Sequence, residues 1–292
     1  MLHYVFASVV PLLVGLAVWL LRRRSQLQGS HAGSAQAAIE MCKTMLGLMS
    51  HIQQHRGMST AWLAGDKNFE RRLSAKRAEI EPLMAQLQRA AEQENKHSYP
   101  CFTPNDITLW RHRWGVLVNE LSGYPVERSI AAHSNLIATL LNWLDAIGEA
   151  RVELPMGTLL PTGAVRNFAH RLPHLTECLG QARATGSGVA AKGVCPAVAR
   201  VRLMFLVSRA ESLIDQACAV DKQGAAAAIK VKALVQMIRI QILGGPQVTV
   251  NAETYFAEAT SAIDAVFNWG RECGSALEAM IAQAPGARTS AA

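Results

Sequence analysis

The chain has 292 residues, 50% of them apolar, and a net charge of +7. That length and apolarity suit one large core or two small ones and exclude a disordered chain. About half of the charge excess is the single run Arg22–Arg24, and no motif that reads DNA or RNA accompanies it, which argues against a nucleic-acid partner.

In chain order, the first element is YVFASVVPLLVGLAVWLL, residues 4–21. These 18 residues carry no charge and suffice to span a bilayer as a helix. Pro11 and Gly15 are tolerated in membrane helices. No Lys or Arg precedes the run and no small-residue cleavage site follows it, so it reads as an anchor and not as a cleaved signal. Arg22, Arg23 and Arg24 place its C-terminal side in the cytoplasm by the positive-inside rule. A single-pass anchor (1–24) and a polar linker (25–33) are therefore expected.

Helical spacing then predicts segments near 34–64, 68–95, 104–122 and 126–150, followed by 165–192, 196–220, 224–243 and 251–284. Pro100, Pro104, Gly123, Pro125, Pro196 and the GGP at 244–246 punctuate them. VELPMGTLLPTGA (152–164) reads as a linker between halves, and 285–292 as a disordered tail. The fold class expected is all-α: one transmembrane helix, then two tandem four-helix bundles at 34–151 and 163–284.

The halves match each other at an offset of 126 or 127 residues. QHRGMSTAW lies over QARATGSGV, pairing Gln54 with Gln181 and Arg56 with Arg183. LLNWLDAIGEA lies over VFNWGRECGSA, pairing Asn142–Trp143 with Asn268–Trp269 and Gly148 with Gly274. Arg113 falls over Arg239. Three ordered matches at nearly one offset indicate a duplication.

Arg56 falls on the apolar seam of the first soluble helix, marked by Met41, Met45, Leu48, Ile52, Ser59 and Leu63. Its repeat mate Arg183 is likewise followed by small residues: Gly186, Ser187 and Gly188. Guanidinium is planar and permanently charged and carries a fork of donors. Two such forks facing one interface would suit a small planar oxyanion, with Gly57, Ser59 and the 186–188 run leaving room. A seam arginine can equally pair with an internal carboxylate. The candidates are Glu177, Glu211 and Asp215 in the second half and Glu40 and Glu120 in the first.

The stretch LMSHIQQHRGMSTAWLAGDKNF resembles the signature of the nitrate- and nitrite-sensing (NIT) domain of bacterial sensors, through Gln53, Gln54, Arg56, Gly57, Ser59, Leu63, Gly65 and Phe69. LTECLGQARATGSG (175–188) and YFAEATSAIDAVFNW (255–269) resemble further elements of that family. The resemblance implies two four-helix bundles binding nitrate or nitrite between them through Arg56, Arg183 and Arg239, with Arg113 and His55 as lesser candidates. His55 stands where the family often has another basic residue, and histidine titrates near neutrality. The family context implies a bacterial inner-membrane protein with its sensor domain in the cytoplasm. Its signal would go to a downstream protein or through a homodimer, since no output module is visible. The alternative is a helical scaffold at the membrane that binds no ligand.

Other chemistry is not expected. The six cysteines form no CxxC pair, so they read as free thiols of a reducing compartment. His51 and His55, and His170 and His174, are spaced four apart but lack an acidic residue or cysteine at ligand spacing, so no metal site is expected. No phosphate loop, nucleophile elbow or kinase signature is present, so neither an enzyme nor a cofactor is expected. Trp62, Trp110, Trp114, Trp143 and Trp269 read as core.

Overall fold

The computed structural model describes the backbone of residues 2–284 and the side chains of residues 31–284 together with Trp19. Eight long helices carry the chain: α1 (Leu2–Leu63), α2 (Phe69–Glu94), α3 (Pro104–Glu120), α4 (Val126–Ile147), α5 (Leu172–Lys192), α6 (Ala197–Val220), α7 (Ala225–Met237) and α8 (Ala252–Ala282). No strand occurs among the described residues. α1 continues through residues 25–33, so the stretch read as a linker is helical. Among the described residues no helix is long and apolar enough to cross a membrane. Apart from Trp19, the side chains of the anchor expected at 4–21 lie outside the described ones, and the tail at 285–292 lies outside the described residues altogether.

Local chemistry sets the breaks. Thr103 caps α3: its hydroxyl accepts from the Asp106 N–H, while the Asp106 carboxylate accepts from the Thr103 N–H. Pro104 follows in the first turn, where a missing N–H costs no helical bond. Pro125 and Pro196 hold extended backbone just before α4 and α6. The Asn251 side chain caps α8. Gly193 ends α5 at φ 67°, a left-handed conformation that other residues adopt at a cost.

The junction between halves is more helical than its Pro and Gly content suggests. α4 runs on through a π-helical segment, Gly148–Glu153, and a short turn of helix, Leu154–Met156. After the turn at 157–163, Ala164–Arg166 and a second π segment, Asn167–Arg171, lead into α5. Arg151 forks onto the buried carboxylate of Glu94 (Nη2–Oε1 2.6 Å) and pins the junction to the end of α2. The repeated glycines Gly148 and Gly274 serve this same place. A Cβ on Gly148 would stand 2.4 Å from Ala169, and one on Gly274 would stand 2.7 Å from Phe168.

Two apolar cores result. The first gathers Ile39, Met45, Leu48 and Ile52 of α1 with Ile80 and Leu87 of α2, Trp110 and Trp114 of α3, and Leu140 and Leu144 of α4. The second gathers Leu175 and Leu179 of α5 with Leu203 and Ile214 of α6, Val231 and Leu234 of α7, and Tyr255, Ile263 and Trp269 of α8. Leu277 and Ile281, at the end of α8, lie in the first core, so α8 runs along both. An ion pair between Lys43 and Glu278 fastens it to α1. The halves also meet where α5 packs against α1 and α4. The seam of α1 faces inward as its spacing predicts, and it takes Arg56 in with it at 1% exposure.

Candidate functional site

Arg56 is among the largest fully buried side chains. A lone buried charge is very costly, and here it is met by a carboxylate from the other half. Arg56 Nη1 donates to Glu177 Oε1 (2.7 Å) and Nη2 to Glu177 Oε2 (3.1 Å), a two-pronged contact from α1 to α5. Nη1 also donates to Ser134 Oγ on α4 at 2.8 Å. Two amides complete the cradle around Glu177: Gln53 Nε2 donates to Oε2 (3.0 Å) and Gln181 Nε2 to Oε1 (2.8 Å). Four N–H donors thus converge on one planar anion. Of the five carboxylates that sequence offered as partners, the fold selects Glu177.

Arg183, one turn and a half further along α5, points back toward α1. A Cβ on Gly57 would stand 3.9 Å from Arg183 Nη2, and one on Gly180 would stand 2.7 Å from Arg56 Nη2. Each arginine therefore reaches across to a glycine of the opposite helix, and the two guanidinium groups cross between α1 and α5. Arg183 Nη1 donates to Thr260 Oγ1 at 3.0 Å, and its guanidinium stacks over Phe256. It makes no ion pair among the described residues. Burial pushes its pKa down to about 10 and the nearby Arg56 pushes the same way, against Asp264 and Glu177. Arg183 is thus charged at neutral pH and under-neutralised. Its partners Phe256 and Thr260 line a groove of about 640 Å³ between α7 and α8.

The remaining expected ligands are not brought to this place. Arg239 lies in a π segment, Ile238–Ile242, with its side chain 52% exposed and bound to Glu211 at 2.6 Å. Its repeat mate Arg113 is exposed on α3. His55 is fully buried in the first half, edge-on to Trp114. The Ser129 carbonyl can only accept, so it receives the Nδ1–H of His133 at 2.7 Å, leaving Nε2 of His133 to accept from Nδ1–H of His55 at 2.8 Å. The Nε2 of His55 then carries a lone pair, not a proton, and cannot donate to an anion. Desolvation by burial, aided by His133, pushes the pKa of His55 down to about 2, far from the neutrality its type suggests.

A model described as nitrate and nitrite sensing (NIT) matches residues 47–281. The chain belongs to the NIT family. Among solved structures, that of the NasR transcription antiterminator is similar at 16% identity and a TM-score of 0.71, covering 91% of this chain and 74% of that one. At that identity the likeness is one of fold. No curated protein matches the chain. The NIT match spans both arginines of the crossing together with Gln53, Glu177, Gly180 and Gln181. At this crossing the Arg56 fork and two amide donors converge on the Glu177 carboxylate, with Arg183 beside them.

Some residues of this candidate site escape sequence reading. Gly180, which makes room for Arg56, carries no local signal apart from its glycine. Of the small residues after Arg183, Gly186 serves another purpose, since the Tyr255 ring fills the space beside it, where a Cβ would stand 2.2 Å away. Tyr255 is held there by donating to the Ala182 carbonyl at 2.7 Å.

Proposed function

We propose that this NIT-family chain is a membrane-anchored sensor in which nitrate or nitrite binds between two four-helix bundles at Arg56 and Arg183. The observation that supports this most strongly is the crossing of the two guanidinium groups between α1 and α5, one bound to a planar carboxylate and the other without an anionic partner. Glu177 holds the place that two oxygens of nitrate would take. The incoming anion replaces that carboxylate on the Arg56 fork and draws the Arg183 guanidinium to its remaining oxygen. Because Arg56 is on α1 and both Glu177 and Arg183 are on α5, the exchange alters how α5 sits on α1. The signal equals the difference in anion affinity between the two packings. The site in this proposal consists of Arg56 and Arg183 with Gln53 and Gln181; Arg239, Arg113 and His55 have no part in it.

The uncharged run 4–21 followed by Arg22–Arg24 supports anchoring in an inner membrane with the sensor domain in the cytoplasm. Relay to a downstream protein or to a second copy is supported by an exposed apolar stripe on α6, formed by Val198, Val201, Met204 and Phe205.

A second reading, a helical scaffold without a ligand, is favoured by the completeness of the Arg56–Glu177 bonding. Thermal melting separates the two. Nitrate or nitrite at a hundred times its dissociation constant adds about 2.7 kcal/mol of stability, whereas chloride and sulfate at equal ionic strength do not. Identical melting in all four salts would favour the scaffold.

A further inference from the structure

Near the junction, two histidines of the second half meet a carboxylate of the first. His170 Nδ1 lies 2.9 Å from Asp145 Oδ1, and His174 Nε2 lies 3.0 Å from Asp145 Oδ2. The two rings follow one another on a single helical face with centroids 4.6 Å apart. One donor atom from each of the three residues lies within 4.8 Å of the other two. No metal was expected because no acidic residue stands at ligand spacing; the fold supplies one from 25 and 29 residues away.

We propose that Asp145, His170 and His174 form a binding site for a divalent transition metal of the zinc class, seated where the end of α4 meets the start of α5. Two imidazoles and a carboxylate are the donors such ions prefer. Bonds of about 2.0–2.2 Å from one ion to all three groups need donor atoms roughly 3.3 Å apart, which small rotations of these side chains supply. In the hydrogen-bonded arrangement each facing imidazole nitrogen donates its N–H to Asp145. To bind the ion, each ring must instead present that nitrogen's lone pair to the metal and carry its N–H on the remote nitrogen. For His174 the remote nitrogen is Nδ1, which stands 3.5 Å from Arg209 Nη2; that exposed arginine must turn to solvent. Glu149 and Glu153 line the same groove as Asp145 and His170; Glu153 is paired with Arg166, and Glu149 adds negative potential for a cation.

Three protein ligands leave a fourth position for water on the open side, where the His170 side chain is 48% exposed. The ion would cross-link the halves. It would also fix the stretch of α5 three residues before Glu177, the partner of Arg56. The site does not depend on anion binding.

The test is calorimetric titration of zinc chloride into the full-length, tag-free chain in detergent and nitrate-free buffer. One ion per chain is expected, with a raised melting temperature. Asp145→Asn and His174→Ala each weaken binding by at least about tenfold. His51→Ala, which removes the histidine paired with Glu79 elsewhere on the surface, leaves it unchanged. Should a variant at Asp145 or His174 fail to fold, the exposed His170→Ala decides the matter by the same criterion. Absence of one-to-one binding, or equal affinity in the folded site variants, overturns the proposal and leaves the cluster as an ion pair.

Discussion

Glu177 is the residue on which the site turns. Its carboxylate accepts both prongs of Arg56 and two glutamine amides while almost wholly buried. Glu177→Gln removes the charge but keeps the shape. Breaking a buried pair leaves Arg56 uncompensated and costs about 3–5 kcal/mol, so the variant should melt lower. The same loss removes the competitor for the fork, so nitrate should bind about tenfold more tightly and restore more stability than in the parent. Calorimetry and melting with nitrate check both signs. His55 and His133 make a separate prediction. Burial holds them down to about 2 and about 3, whereas in the unfolded chain they titrate near 6.5. With folded values below unfolded ones, the unfolded chain binds more protons once pH drops below 6.5. Stability should then fall with pH by up to about 1.4 kcal/mol per unit per histidine. A denaturation midpoint at pH 5 equal to that at pH 7 would contradict this. Much at this scale was legible: the seam spacing of α1 places Arg56 inward. The choice of Glu177 was not, because helical periodicity says which face is buried and nothing about which residue of a distant helix lies opposite. For the same reason periodicity does not show that Arg239 pairs with Glu211 at the surface. The repeat sets it over Arg113, and both face solvent.

At the scale of elements, the crossing depends on how closely α1 and α5 approach, and two glycines report on it with opposite signs. Alanine is favoured over glycine inside a helix by about 1 kcal/mol. Gly57→Ala adds a Cβ in ordinary contact, 3.9 Å from Arg183, and should be neutral or stabilising within that amount. Gly180→Ala puts a Cβ 2.7 Å from an Arg56 nitrogen that is locked by Glu177. The propensity gain is then outweighed, and a net loss of about 1–3 kcal/mol is expected from overpacking. Paired urea melts decide it; a stabilising Gly180→Ala would mean that the guanidinium can move freely. Helix boundaries were largely readable from Pro, Gly and capping residues. The junction was not, since Pro155 suggested a loop where a π segment and one further helical turn carry α4 on to Met156. Those turns are set by packing against Glu94 and the 168–169 pair, not by local propensity.

At the scale of the whole molecule, placing α5 across α1 brings each arginine to a glycine of the other helix. α8 runs along both cores, so a change in the packing of α5 on α1 cannot be confined to one half. The order of the helices after residue 34 followed from the sequence, whereas the passage of Leu277 and Ile281 into the first core did not, because an apolar face does not name its partner. The most direct measurement is calorimetric titration of nitrate, and separately nitrite, into the parent chain and Arg183→Ala. That variant keeps the Arg56–Glu177 pair and so should retain the parent's helical content without added anion. One anion per chain is predicted for the parent, and at least about tenfold weaker binding for the variant, the loss of one charge-assisted contact. Equal affinity in the two proteins, or no binding by the parent, would contradict the account.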